Sequence, residues 1–289
     1  MFFHRKQKIA VWGVSITQFI GLSILLIIQR IYSPAPPYFI PLSQRVNNSI
    51  ALSLMIALLI PAIIEENNLR WLKKVEENVP RVLLDITEGV RSGVPLLDAI
   101  EDSTQRKYGP ISKELKRSMI NFKMTSDFKR SLDSLGKNLI RPIVKRMNII
   151  LLEANEMGGQ IIDVLDASVL LFTDIAEYQD QRRDQLKPYI LIVYVGLFIF
   201  LAIAYVILVK FIGPIHYMAL DPMIASAGIL GNLQHVDYYK SILFWAALIQ
   251  SVFGGLVAGK ISEGYLSAGL KHIVLLILIT ILFFNAFNV

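Results

Sequence analysis

Five stretches of this sequence carry no charged residue and are long enough to cross a bilayer: Ile9–Ile28, Val46–Ile64, Pro188–Val209, Ser241–Gly259 and His272–Val289. The hydrocarbon core takes about 20 apolar residues per helix. It offers no water to a peptide group, so each stretch must fold as a helix. The charge is gathered elsewhere. Of 29 Lys+Arg and 23 Asp+Glu, 39 lie between Glu66 and Lys187. The fold class that follows is all-α: a polytopic membrane protein with one water-soluble block. Residues 1–64 hold spans one and two, 65–187 the soluble block, and 188–289 spans three to five. Only 18% of the residues are charged and the mean hydropathy is +0.52, against about a quarter charged in soluble domains. A soluble enzyme, a disordered chain and a secreted disulfide scaffold are excluded.

Lys/Arg bias in the short flanks sets the orientation. Arg5, Lys6 and Lys8 precede the first span and place the N-terminus inside. The chain turns outside through the proline-rich Ser33–Pro41 stretch and re-enters before Glu65. That puts 65–187 in the cytoplasm, opening with Arg70, Lys73 and Lys74 and closing with Arg182, Arg183 and Lys187. Residues 213–240 then lie outside, the link Lys260–Lys271 inside, and the C-terminus outside. The first span has the basic start of a signal peptide, but its apolar stretch is too long and no A-x-A site follows, so it reads as an anchor. The chain is expected in the cell membrane as a multi-pass protein.

Inside the block the apolar period becomes that of amphipathic helices. Val79, Leu83, Ile86 and Val90 fall three or four apart, as do Ile111, Leu115, Met119 and Phe122, and then Phe128, Leu132, Leu135 and Leu139. Ile143, Met147, Ile150, Ala154 and Met157 make a fourth stripe, and Ile161, Leu165, Val169, Phe172 and Ala176 a fifth. Leu96, Leu97 and Ile100 mark a short helix between the first two. Pro95, Pro110 and Pro142 suit first helical positions, Thr125-Ser126-Asp127 supplies a cap, and Gly158-Gly159 a turn. The count is six. With short connections these form an antiparallel six-helix bundle, and an even number returns the chain to the membrane. The turns near Arg91–Val94, Met124–Ser126 and Met157–Gln160 belong at the far tip. Those at Lys107–Gly109 and Ile140–Arg141 belong toward the membrane, where Arg106, Lys107, Arg141, Arg182, Arg183 and Lys187 would meet anionic headgroups. Arg91, Lys123, Lys129 and Arg130 are left near the tip for a cytoplasmic partner, against the plainer reading of solvated helix faces.

Site chemistry is otherwise sparse. There is no cysteine, hence no disulfide, thiolate metal site or thiol nucleophile. No Walker lysine loop, zinc-protease helix, nucleophile elbow or dinucleotide fingerprint appears. No catalytic residue, cofactor or metal is expected. His216 and His235 share the outer loop with Asp221 and Asp237, but their spacing matches no ligand pattern. Between 66 and 187 there are 20 basic and 19 acidic residues, so no nucleic-acid surface is expected. Intramembrane ionisable residues, which mark pumps and transporters, are absent from the spans. The fourth span carries two small-residue tracks, Gly254 with Ala258 and Gly255 with Gly259, continued by Gly264 and Ala268. Such tracks admit a helix at close range. Its source is intramolecular, a second copy or a passing single-span substrate.

Three stretches resemble a known family. Pro80–Ala99 (PRVLLDITEGVRSGVPLLDA) is similar to the opening helix pair of the type II secretion system F domain, and Leu152–Leu165 (LEANEMGGQIIDVL) to its helix–Gly–Gly–helix tip. Gly254–His272 looks like the archaeal branch, which includes archaellum and adhesive-pilus platforms. The resemblance covers about residues 66–289. It implies a non-enzymatic platform for a type IV pilus-like filament, an archaellum or archaeal pilus. The implied partners are a cytoplasmic hexameric secretion ATPase, pilin or archaellin subunits, and the bilayer. Many members carry two copies of the domain where this chain shows one, which implies a split pair, a Tad-like single-domain member or a homodimer. A small transporter or channel is the alternative, and an outer-face enzyme using His216, Asp221 and His235 a third.

Overall fold

The computed structural model describes residues 5–28, 40–139, 141–157, 161–215 and 236–286, and among these every regular element is helical. The helices are α1 (Arg5–Ile28), α2 (Gln44–Arg91), α3 (Leu96–Ser103), α4 (Pro110–Thr125), α5 (Phe128–Asn138), α6 (Pro142–Met157) and α7 (Ile161–Val206). After α7 come a π-helical turn (Ile207–Ile212), α8 (Val236–Glu263), a 3₁₀ turn (Leu266–Gly269) and α9 (Leu270–Ala286). Among the described residues, five helical segments are long and apolar enough to cross a membrane: Gln7–Leu26, Gln44–Arg91, Ile161–Ile215, Val236–Glu263 and Leu266–Ala286. The proline-rich 33–39, Gly158-Gly159 and the loop with His216, Asp221 and His235 lie outside the described residues.

Pro110 and Pro142 open α4 and α6 as expected. Pro61 and Pro80 lie within α2, and Pro188, where the third charge-free stretch begins, lies within α7. A proline removes one backbone donor, but the flanking turns here hold the helix together. Pro95 is the residue before α3 and not its first; its ψ of 145° is extended.

The chain divides into two compact units. One is Asn67–Asp184, built on a single apolar core. Val79, Leu83, Ile86, Ile111, Leu115, Leu132, Leu135, Leu139, Met147 and Leu165 are fully or almost fully shielded. Met157, at the last turn of α6, is the stripe residue left exposed. Truncating any one of the shielded leucines to alanine costs about 2–5 kcal/mol. Small polar residues sit where helices come closest. Ser118 on α4 and Ser131 on α5 each donate to the other's carbonyl, with their hydroxyls 2.9 Å apart. Asn148 on α6 donates to the Leu132 carbonyl over Gly136.

Two turns of this unit lie partway along α2. Gly109 approaches Asn78, and Arg141 Nε donates to Glu76 at 2.7 Å with only 12% of its side chain exposed. Arg141 is therefore engaged by a carboxylate of its own unit. Beside Gly109, Tyr108 is buried, its hydroxyl donates to Asp85, and Arg106 pairs with the same carboxylate at 2.8 Å.

The other unit is Phe3–Glu66 with Gln185–Val289. Its core joins Leu197, Leu201, Phe244, Ala247, Ile273, Leu276, Ile277 and Phe284. Several of its buried polar groups pair with one another, as a dry interior favours. Asn47 donates to the Pro41 carbonyl and to Ser241 Oγ and accepts from Trp245 Nε1. Ser251 and Thr280 hydroxyls meet at 3.0 Å between α8 and α9. The adjacent carboxylates of α2 reach opposite ways: Glu65 binds Lys8 of α1 at 2.8 Å and Glu66 binds Lys271 of α9 at 2.9 Å.

Burial, and then the bond to Asp85, push the Tyr108 hydroxyl well above its ordinary 10.0. A raised value means the contribution to stability is full below about pH 10, the unfolded tyrosine value, and is lost as pH climbs through the raised one. Tyr108→Phe should cost about 2 kcal/mol at neutral pH, read as a lower thermal midpoint of detergent-solubilised protein. The gap between wild type and variant should narrow when the melts are repeated above about pH 10.

Candidate functional site

Two places carry the residues singled out in the sequence. The first is the end of the helical unit formed by the α2–α3 and α4–α5 turns. Gly93 has φ +92°, the left-handed region that a side chain resists. The turn it makes lets Gly89 approach Ala99 so closely that an added Cβ would lie 3.0 Å from the alanine's. Ser126 takes φ 52° to end α4, and Asp127 caps α5 by accepting from the Arg130 amide at 2.9 Å. This is the cap expected in the sequence.

The four basic residues placed at the tip separate into two kinds. Arg91 pairs with Asp166 on α7, and Lys123 with Glu101 on α3. Lys129 and Arg130, in the first turn of α5, make no side-chain ion pair among the described residues and are exposed. With Asp127, Asp133, Ser134 and Lys137 they line a shallow groove of about 330 Å³. Arg91 and Lys123 thus act on neighbouring helices of the same unit, while Lys129 and Arg130 stand exposed beside Asp127 and Asp133 in the groove.

The second place is the hairpin of α8, the 3₁₀ turn and α9. A Cβ on Gly259 would fall 1.9 Å from the Gly269 nitrogen, and one on Gly255 2.5 Å from Ile273 Cγ1 and 2.6 Å from its nitrogen. Ala258 and Ala268 are buried. This track is filled by the chain's own next segment, backbone against backbone, the close approach that small residues allow. Gly254 faces another way, toward Val193 of α7 at 3.0 Å. Gly264 has φ +77° just past α8, and its carbonyl accepts from Lys260 Nζ. Its glycine serves a turn. Gly269, not singled out in the sequence, is also held against backbone, with a would-be Cβ 2.5 Å from the Gly255 carbonyl oxygen. Gly255 and Gly269 lie on opposite sides of the intervening turn, so no single-helix track joins them.

Next to this hairpin, His272 Nδ1 lies 2.7 Å from the Tyr194 hydroxyl. Among the described residues no group of three or more His, Asp or Glu is arranged to hold a metal.

Residues 83–209 match the family model for the type II secretion system protein F. The matched stretch runs from the last turns of α2 through α3–α6 and along α7 into the π-helical turn. Residues 83–209 are a type II secretion F domain. The matched stretch takes in most of the third candidate span, Ile161–Ile215. An uncharacterized protein of Methanocaldococcus jannaschii is 25% identical over 210 residues, which cover 73% of this chain and 33% of that protein. The chain spans about a third of the length of the curated relative it matches. No solved structure matches it.

Because the Gly259 contact is with backbone, no rotamer change can relieve it. Gly259→Ala should destabilise the hairpin by about 3 kcal/mol or more and reduce the yield of monodisperse protein in detergent. Gly21→Ala, where an added Cβ meets nothing within 4 Å, should leave both yield and melting unchanged.

Proposed function

We propose that this protein is a non-enzymatic assembly platform for a type IV pilus-like filament, coupling a cytoplasmic secretion ATPase to insertion of filament subunits from the bilayer. The supporting observation is the F-domain match at 83–209. In this reading the helical segments of Asn67–Asp184 form the cytoplasmic antiparallel bundle, with the N-terminus on the same side by the Lys/Arg bias. The filament is an archaellum or archaeal pilus, its subunits are pilins or archaellins, and a second F-domain chain or a second copy completes the assembly. No cofactor takes part.

Within the bundle, Lys129 and Arg130 are the tip cations best suited to an acidic partner, since their charge has no internal ion pair. Arg91 and Lys123 would have to leave Asp166 and Glu101 first. An exposed cation cluster of this kind steers association more than it holds it.

The test is affinity recovery of tagged, detergent-solubilised protein from its native host, read by mass spectrometry. Wild type should bring down a secretion-type ATPase, a second F-domain chain or a filament subunit. Lys129→Glu with Arg130→Glu should reduce ATPase recovery on the order of tenfold with membrane insertion unchanged. Equal recovery would remove these two residues from the contact. If wild type retrieves none of the three partners while other membrane complexes survive, the platform reading fails and flux through liposomes becomes the experiment to run.

A further inference from the structure

The near-neutral charge of the helical unit conceals two opposed stripes. On α4, Lys113, Lys116 and Arg117 are exposed and have no ion-pair partner among the described residues. The same face carries Ile120, 49% exposed, and Met124, 80% exposed. Residues 147–181 hold seven carboxylates and no basic residue. On α7 within that stretch, Asp174 and Glu177 are exposed and without an ion pair among the described residues. They continue a face that carries Leu170 at 64% and Leu171 at 53% exposure. Large aliphatic side chains standing this far into solvent beside unpaired charge mark an interaction surface.

The two stripes match in spacing and in direction. On α4, Arg117 precedes Ile120 by three residues and Lys113 by seven. On α7, Asp174 follows Leu170 by four and Glu177 by seven. Along the unit, α4 and α7 run in opposite senses, and α2 provides a common ruler. Gly109, just before α4, lies at Asn78, and Asp166 pairs with Arg91. At about 1.5 Å per residue, Ile120 and Leu170 stand at nearly the same height. So do Arg117 and Asp174, and Lys113 and Glu177, each within roughly one helical turn.

We propose that the basic, apolar stripe of α4 docks on the acidic, apolar stripe of α7 in a second copy of this chain. Copies in one bilayer share an orientation, so α4 of one and α7 of its neighbour meet antiparallel at equal height. Ile120 and Met124 then cover Leu170 and Leu171, while Lys113, Lys116 and Arg117 face Asp174 and Glu177. The contact is heterologous, one stripe of each copy being used. It gives a surface to the second copy named in the platform reading, but needs neither an ATPase nor a filament subunit, so the two can fail separately.

The absence of native cysteine makes a disulfide test free of background. Full-length Ile120→Cys and Leu171→Cys chains, carrying different tags, are co-expressed and oxidised in native membranes. The mixed pair should cross-link, and each variant expressed alone should not. Adding Lys116→Glu and Arg117→Glu to the first chain should lower the yield on the order of tenfold. Adding Asp174→Lys and Glu177→Lys to the second should then restore it. Three results would overturn the proposal: Ile120→Cys alone cross-linking as well as the mixture, no cross-link from fully inserted chains, or charge reversal on α4 that the reciprocal change does not rescue. The last would give the α4 stripe to a different acidic protein.

Discussion

A bilayer gives an unpaired peptide group nothing to bond with, and this constraint decides most of the fold. It turns each charge-free stretch into a helix before any packing is considered. It also removes water as the force that drives helices together, so contact must come from close fit and internal hydrogen bonds. The α8–α9 hairpin is built on both. Gly259 and Gly269 bring backbone against backbone, and Ser251 and Thr280 supply a hydroxyl pair beside them. Asn47 does the same work between α2 and α8, with three bonds to groups that would otherwise be stranded.

Much of this was legible in the sequence because it is one-dimensional information. Charge segregation locates the spans. The i, i+3, i+4 stripes locate the core of the helical unit, and Leu83, Leu115, Leu132 and Leu165 are all shielded. Asp127 caps α5 as its position suggests. Proline was less readable. Pro188 opens the third charge-free stretch, yet α7 continues through it, since a single lost backbone bond is a small deficit in a helix of 46 residues. Small-residue tracks were only half readable. Gly255 and Gly259 stand one turn apart, but the partner backbone at Gly269 lies beyond a turn whose path a helical repeat cannot express.

Which charges pair was not readable at all. Arg91 and Asp166 are 75 positions apart, and Lys123 and Glu101 are 22 apart. Nothing local distinguishes them from Lys129 and Arg130. The packing of α2 beside α7 and α3 beside α4 makes the distinction, dividing four similar cations into two that fasten neighbouring helices and two that do not. Arg141 shows the same effect. Glu76 lies within its reach, and a partly buried guanidinium is far better placed on a carboxylate than left alone.

Neutral composition misleads for a related reason. Twenty basic and nineteen acidic residues average to nothing along the sequence, whereas the fold gathers the bases of α4 on one helix and the carboxylates of α7 on another. Exposed charges alone would give little affinity, since water and salt screen them. What lends the two stripes weight is that each carries aliphatic side chains at the same height as the other's. The apolar pairs supply the area removed from water, and the charges fix register and reject the like-charged alternatives. An α4 stripe set against another α4 stripe would place bases on bases. The charge pattern therefore favours unlike stripes, and the shared orientation imposed by the membrane brings them level.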